Sequence, residues 1–216
     1  MSLSVGGAQV APSLDTAALR QGASLVDRSR DLALLSFSGR DSQAFLQRML
    51  SNDVARLEVG RGVPAALLTS KSQVVCTLEV LRSDDALLAI VPEPVAAACV
   101  EALDRFIIAD DVELERRPVA CLGVVGPEAA ALEPLASLAE VARVEAGVPR
   151  FGADLSEENL LLEGGQLSRV SFDKGCYIGQ EPVCRIHNRG QVNRRLVGLR
   201  WLADDGDVPV GGATLS

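Results

Sequence analysis

Residues 63–82 read VPAALLTSKSQVVCTLEVLR, two apolar runs separated by the short polar link Ser70-Lys71-Ser72. Apolar runs of this length on either side of a polar link are typical of a β-hairpin. In the second run every other residue from Val74 to Val80 is apolar, which predicts one buried face of a strand. We therefore expect an antiparallel sheet to form around this hairpin.

The segments on either side of the hairpin show strand and helix patterns in turn. Strands are predicted at 32–37, 87–91, 112–116, 119–125, 140–145 and 191–201, and helices at 42–50, 94–108 and 126–138. Asp41 is the expected cap of the first helix. The second helix has apolar residues at helical spacing, namely Val95, Ala98, Ala102 and Phe106. The mixture lacks the regular alternation of a doubly wound parallel sheet, so we predict the α+β class, with antiparallel sheets and ferredoxin-like halves.

Composition excludes several classes of protein. The chain has 216 residues, of which 48% are hydrophobic, and this is enough for one substantial core. It contains no run of 18 apolar residues that could cross a membrane, and its first 21 residues lack the features of a secretory signal. We therefore expect no membrane partner and a cytoplasmic location, or the mitochondrial matrix in a eukaryotic cell.

Charge and cysteine content bear on three further classes, namely nucleic-acid binders, disulfide-bonded proteins and metal-binding proteins. The net charge of −8 argues against a nucleic-acid binder, although residues 185–200 hold five arginines and no acid. This basic run is either an anion site or a solvated strand face. Five cysteines without a CxxC pair predict neither a disulfide framework nor a metal site.

The stretch Lys174-Gly175-Cys176-Tyr177-Ile178-Gly179-Gln180-Glu181, here called the signature loop, is the most informative for function. Lys174 is one of two lysines, and an ammonium two residues from Cys176 would stabilise its thiolate. The two glycines would let the backbone turn sharply or approach a ligand. Cys176 and Lys174 are therefore the candidate catalytic residues. The alternative is a tight loop around a buried, inert thiol.

The signature loop, with the downstream residues Val183, Arg185 and Arg189-Gly190, resembles that of YgfZ-type folate-binding proteins, relatives of the glycine-cleavage T-protein, an aminomethyltransferase. Weaker similarities lie at 45–46, 51–54, 67–71 and 143–152, so that the resemblance spans roughly residues 25–212. It implies a T-protein-like fold that binds tetrahydrofolate and supports iron–sulfur enzymes. The implied partners are reduced folate and iron–sulfur proteins or cluster-assembly factors.

The resemblance also implies which residues bind the cofactor. The glutamate of an Arg-x-Glu-x-Gly segment binds the pterin in the T-protein, which transfers this role to Glu145; a carboxylate can accept the pterin ring N–H and exocyclic amine together. Tyr177 and Gln180 are further candidates, and Arg185 and Arg189 could attract the glutamyl tail. Two alternatives stay open, namely that Glu145 is a surface residue and that Gln180 stabilises the start of a helix.

The implied domain organisation has four parts. Residues 1–24 are expected to form a flexible arm, 25–116 and 117–190 the two halves of a folate-binding domain, and 191–216 the start of an incomplete carboxyl-terminal β-barrel. One departure bears on activity: aminomethyltransferases carry an acidic pair on the second hairpin strand, where this chain has Cys76-Thr77. We therefore predict a tetrahydrofolate-binding protein of iron–sulfur cluster assembly or repair without aminomethyltransferase activity. The alternatives are a folate-dependent aminomethyl- or methyltransferase and an interaction module without folate.

Overall fold

A computed structural model of the protein describes residues 24–118, 122–125, 147–190, 192 and 194–198. Its strands are β1 (Ser24–Asp27), β2 (Leu32–Ser38), β3 (Gly62–Leu68), β4 (Val74–Arg82), β5 (Leu87–Pro92), β6 (Glu113–Arg117) and β7 (Leu122–Val125). The helices are α1 (Ser42–Met49), α2 (Ala96–Asp104) and α3 (Gln180–Arg189). Short 3₁₀ turns lie at Glu93–Val95, Leu161–Gly164 and Leu167–Arg169.

Five of the strands form one antiparallel sheet in the order β3-β4-β5-β2-β6. Because β2 and β5 are each antiparallel to their neighbours, β2 and β4 point the same way and enclose β5. In the same manner β5 and β6 enclose β2. Helix α1 lies between β2 and β4 in the chain, and α2 lies between β5 and β6, so that two split β-α-β units interlock. The predicted α+β class and ferredoxin-like arrangement are confirmed for this half, and β3 is an added edge strand.

The remaining strands form a second sheet of two, in which β1 pairs antiparallel with β7 from Ser24 opposite Val125 to Asp27 opposite Leu122. Part of the predicted second half, namely residues 119–121 and 126–146, lies outside the described residues. This part includes the helix predicted at 126–138 and the strand predicted at 140–145, and the arm before residue 24 lies outside as well. The strand predicted at 191–201 is not found in residues 194–198. These residues attach instead to the 3₁₀ turn at 161–164, where the Leu196 N–H donates to the Glu163 carbonyl at 2.9 Å.

The main core fills the space between the large sheet and its two helices. The predicted apolar stripe of α1 is confirmed, since Phe45 and Leu46 are fully buried and Met49 is nearly so. They pack on Leu35 and Phe37 of β2 and on inward-facing residues of the other strands. Burial of an apolar face by each element supplies the main driving force for this packing.

A second apolar cluster covers the opposite face of β3 at the hairpin end. Its members are Ala66, Leu68, Val74, Phe151, Leu155, Leu161, Val170, Tyr177 and Val183. Val74 was expected to share a face with Cys76, and this is wrong. A register shift places Leu68 opposite Val74 and Leu67 opposite Cys76, which leaves Val75 without a partner. Such a bulge reverses the side-chain alternation, so Val74 belongs to the second cluster.

Two further local expectations are corrected. The buried face of α2 consists of Ala96, Cys99 and Leu103, because these residues pack in the main core against the sheet. Val95 belongs to the preceding 3₁₀ turn, and Phe106 follows the end of the helix. Asp41 occupies the position before α1, but its Oδ2 accepts the Asp111 N–H at 2.8 Å instead of capping the helix.

The core position of Phe45 predicts a large loss of stability on truncation. Phe45→Ala should lower the free energy of unfolding by about 3–5 kcal/mol, because a fully buried ring leaves a cavity. Phe106→Ala is the matched control: Phe106 is 48% exposed, and its loss should cost less than about 1 kcal/mol. Urea denaturation of both variants measures the difference, and equal losses would contradict the assigned core.

Candidate functional site

The signature loop begins with a lysine bound to the end of a distant helix. The Lys174 Nζ donates to the carbonyl oxygens of Gln47 at 2.7 Å, Leu50 at 2.6 Å and Asn52 at 2.8 Å. These carbonyls belong to the last turn of α1 and the turn that follows, where a helix leaves carbonyls unpaired and carries partial negative charge. Lys174 thus caps the carboxyl end of α1, although it lies more than 120 residues later in the chain.

The charge state of Lys174 fits these three bonds. Burial lowers the pKa of Lys174 to about 8, and the nearby Asp53 carboxylate acts in the opposite direction. The amine is therefore mostly protonated at neutral pH, and its three N–H donors match the three carbonyls. Its Nζ also lies 5.2 Å from the centroid of the Tyr177 ring. None of its hydrogen bonds reaches Cys176, and its expected effect on that thiol stays a prediction.

The other end of the loop is fixed against the β3–β4 turn. Gly179 has a φ of +81°, and a β-carbon there would lie 2.4 Å from the Thr69 carbonyl oxygen. The Ser72 hydroxyl donates a short hydrogen bond to the Gly179 carbonyl. Glycine is required at 179 for both reasons, since other residues disfavour this φ and would clash with the turn.

Cys176 lies between these two anchors with its side chain exposed. A β-carbon on the adjacent Gly175 would meet no atom within 4 Å, so the loop is open on this side. Cys76 and Cys99 are buried, Cys184 is half-buried, and Cys121 lies outside the described residues. Cys176 is thus the most accessible thiol in the described part of the chain, which excludes the alternative of a buried thiol.

The other predicted site residues occupy different environments. Tyr177 is buried in the second cluster, and its hydroxyl has no hydrogen-bond partner among the described residues. Burial and the nearby Cys184 raise the pKa of Tyr177 to about 12.

Gln180 is the first residue of α3, as expected if its role is to stabilise the start of a helix. Arg185 pairs with Glu181 one helical turn earlier, and Arg189 ends the helix, exposed to solvent.

Glu145 lies outside the described residues, but the segment that follows it borders a groove. This groove has a volume of about 410 Å³ and is lined by residues 147–149, 164–166 and 196–198, together with Asp154. Its side chains are mainly apolar, and Gln166 supplies a buried amide. The signature loop and this groove are separate features, since none of residues 174–179 lines the groove.

Three residues that carried no role in the sequence interpretation join the site to the sheet. Ser51 and Asn52, in the turn after α1, bind the outer edge of β3: the Ser51 Oγ accepts the Ala66 N–H and the Asn52 Nδ2 donates to the Pro64 carbonyl. Arg169 donates to carbonyls of both hairpin strands and pairs with Glu79 at 2.8 Å. Two sequence signals pointed to Ser51 and Asn52, namely their polar character after a helix and the family resemblance at 51–54. No sequence signal pointed to Arg169.

The position matched to the acidic pair of aminomethyltransferases is part of the core. Cys76 is fully buried, and its Sγ lies 3.3 Å from the Thr77 carbonyl oxygen. The pKa of Cys76 is raised well above its ordinary value. The main cause is a hydrogen bond with the Cys99 thiol, and burial is the second cause. Position 76 is thus built for an uncharged side chain.

The anchor at Gly179 predicts a local intolerance to side chains. Gly179→Ala should lower the free energy of unfolding by about 2–4 kcal/mol, through its left-handed φ and the clash with Thr69. Gly175→Ala, four residues away in open space, should cost less than about 0.5 kcal/mol. Chemical denaturation distinguishes the two, and a tolerated Gly179→Ala would mean that the loop is not anchored there.

Comparisons with known proteins give the family. Residues 11–142 match the model of the GCVT N-terminal domain, which is more than half of the chain. An uncharacterized protein of Haemophilus influenzae is 25% identical over 193 residues, covering 76% of this chain and 69% of that protein. The human mitochondrial iron–sulfur cluster assembly factor IBA57 is 40% identical over 75 residues, which cover 32% of this chain and 19% of the human protein.

The fold has a solved counterpart. The crystal structure of the glycine cleavage system aminomethyltransferase T from Bartonella henselae matches with a TM-score of 0.69 at 18% identity, covering 81% of this chain and 65% of that protein. In the described part of the chain, none of the helices is long and apolar enough to cross a membrane. The domain match over residues 11–142 shows that this chain belongs to the GCVT N-terminal domain family.

Proposed function

We propose that this protein binds a reduced folate and serves in iron–sulfur cluster assembly or repair, with Cys176 as the residue that contacts the cluster. The observation that carries the proposal is the exposed thiol on a loop anchored at both ends. A small substrate would need a pocket around the thiol. An exposed thiol on a fixed loop is instead accessible to a large partner, such as a protein that carries a cluster.

The chemistry at Cys176 is ligand exchange. Cysteine thiolates are the usual ligands of iron–sulfur clusters. The thiol proton leaves to solvent, the thiolate displaces one existing ligand from an iron of the incoming cluster, and Cys176 is displaced in turn when the cluster moves on. No oxidation state changes in these steps.

Relatives named for this process support the proposal. Besides the human protein, the mouse mitochondrial iron–sulfur cluster assembly factor IBA57 is 35% identical over 79 residues. These matches cover about a third of this chain and a fifth of each relative, so the role is carried over as a proposal. A cytoplasmic location, or the mitochondrial matrix in a eukaryotic cell, belongs to the same proposal.

The proposed folate binding is supported by the groove that residues 147–149, which follow Glu145 in the chain, help to line. A volume of about 410 Å³ lies within the range of about 300–1,000 Å³ that is typical of small-molecule sites. Its apolar lining suits the flat face of a pterin, while Glu145 would accept the N–H groups at its edge. Arg185 and Arg189 would attract the glutamyl tail, and Tyr177 and Gln180 would support the loop between these positions.

Aminomethyl transfer is the less favoured function. Two aminomethyltransferases of Thermoanaerobacter are 39% identical over 70 residues, which are 18% of their length. The buried Cys76, whose pKa is raised, cannot replace the carboxylate expected at that position. The proposal therefore assigns folate a supporting role, without transfer of a one-carbon group.

Replacement of Cys176 tests the cluster role. In cells that lack the endogenous protein, Cys176→Ala should fail to restore iron–sulfur enzyme activity, because no other described thiol is as exposed. Cys184→Ala is the matched control and should restore that activity. Full activity with Cys176→Ala, at equal protein levels, would remove Cys176 from the mechanism.

Replacement of Glu145 tests the folate role separately. Glu145→Gln keeps the shape but loses the charge-assisted pair, so tetrahydrofolate affinity should fall about ten- to a hundredfold, or about 1.5–3 kcal/mol. Titration calorimetry measures the change, and Glu157→Gln, at an exposed position, should bind as the unaltered protein does. Undetectable binding of tetrahydrofolate to the folded full-length chain would refute the folate proposal and leave the thiol experiment unaffected.

A further inference from the structure

The Lys174 ammonium is the element that connects the signature loop to the rest of the molecule. Its three N–H groups are all committed to backbone carbonyls, those of Gln47, Leu50 and Asn52. The side chain is 8% exposed, so little of it remains available to a ligand or to a partner. An interaction that uses every donor inside the molecule is typical of a structural tie, not of direct contact with a reacting group.

The place that receives this tie is itself fixed to the sheet. The turn that contains Leu50 and Asn52 also holds Ser51, whose N–H donates to the Ala66 carbonyl at 3.0 Å. Leu50 pairs with Leu67 in an isolated bridge. The Lys174 ammonium therefore binds a turn that is itself held by hydrogen bonds, at the point where α1 ends beside the open edge of β3.

Chain length transfers this fixation to the thiol. Cys176 follows Lys174 by two residues, and two residues span at most about 7 Å. On its other side the buried Tyr177 ring and the Gly179 contact with the β3–β4 turn hold the backbone. A loop held at both ends over so short a distance leaves the Cys176 thiol little freedom to change its position.

We propose that Lys174 is a positioning residue: its ammonium ties the signature loop to the end of α1, and this tie holds the Cys176 thiol in its outward orientation. This inference rests on the proposed function of Cys176 and assigns Lys174 a different task from activation of the thiol. A direct electrostatic effect would act on the thiol pKa, whereas the tie acts on loop mobility. The two effects are separable by experiment.

The test uses the second lysine as its control. Lys71, in the β3–β4 turn, is exposed and makes no ion pair in the described part of the chain, so Lys71→Met changes the net charge as Lys174→Met does. Each variant is made in the full chain, with Cys184 and Cys121 replaced by serine. Cys176 then carries a maleimide nitroxide, whose spectral line shape reports its mobility.

A positioning role predicts a specific pair of results. Lys174→Met should convert the nitroxide spectrum from a mainly restricted to a mainly mobile form, while Lys71→Met should leave it unchanged. The pH midpoint of Cys176 alkylation should be the same in both variants. Lys174→Gln, which retains an amide with two N–H donors, should give an intermediate spectrum.

Two results would overturn the proposal. An upward shift of the alkylation midpoint by about one pH unit or more, with an unchanged nitroxide spectrum, would show that Lys174 acts on the thiol charge directly. Global unfolding of both the methionine and glutamine variants, seen by circular dichroism, would make Lys174 a determinant of the whole fold. Since neither folate nor cluster is present, these results are independent of whether the proposed function is correct.

Discussion

The outer edge of β3 has to be covered, and this requirement organises the molecule. Among the described strands β3 pairs only with β4, and it lies between the two apolar clusters. Backbone groups on its open side need partners, because an unpaired group inside a protein costs as much as a lost hydrogen bond. Ser51 and Asn52 supply them at Ala66 and Pro64. Arg169 binds the paired residues Ala65 and Leu78 of β3 and β4 at their carbonyls.

Ser51 and Asn52 are themselves bound to the distant segment 168–171, so the edge of β3 is joined to that segment through them. The Ser51 hydroxyl donates to the Arg169 carbonyl at 2.6 Å, and the Ser171 N–H donates to the Ser51 carbonyl at 3.0 Å. The segment that covers β3 is therefore held three to five residues before the signature loop begins. Lys174 binds the same turn after α1 through the Leu50 and Asn52 carbonyls. The signature loop therefore extends the row of hydrogen bonds along the open edge of β3.

How much of this could be predicted depends on whether a local pattern or a distant contact decides the structure. The hairpin and the α1 stripe followed from periodicity alone, since Phe45 and Leu46 had no equally apolar alternative on another face. For α2 the alanine-rich sequence offered two faces at helical spacing, and only packing against the sheet selected Cys99 and Leu103. The bulge at Val75 and the role of Arg169 depend on residues from elsewhere in the chain, which periodicity does not detect.

The same distinction applies to the site and to the question of aminomethyl transfer. Adjacency in the sequence suggested that Lys174 acts on Cys176, whereas the hydrogen bonds of Lys174 all lead away to the end of α1. The sequence comparison also matched Cys76 and Thr77 together to the acidic pair of aminomethyltransferases. Neighbouring residues in a strand, however, face opposite sides of the sheet. Cys76 packs in the core with α2, where a carboxylate would be desolvated and its pKa raised. An acid at position 76 would therefore be held largely uncharged, so it could not supply the carboxylate that aminomethyltransferases carry on this strand.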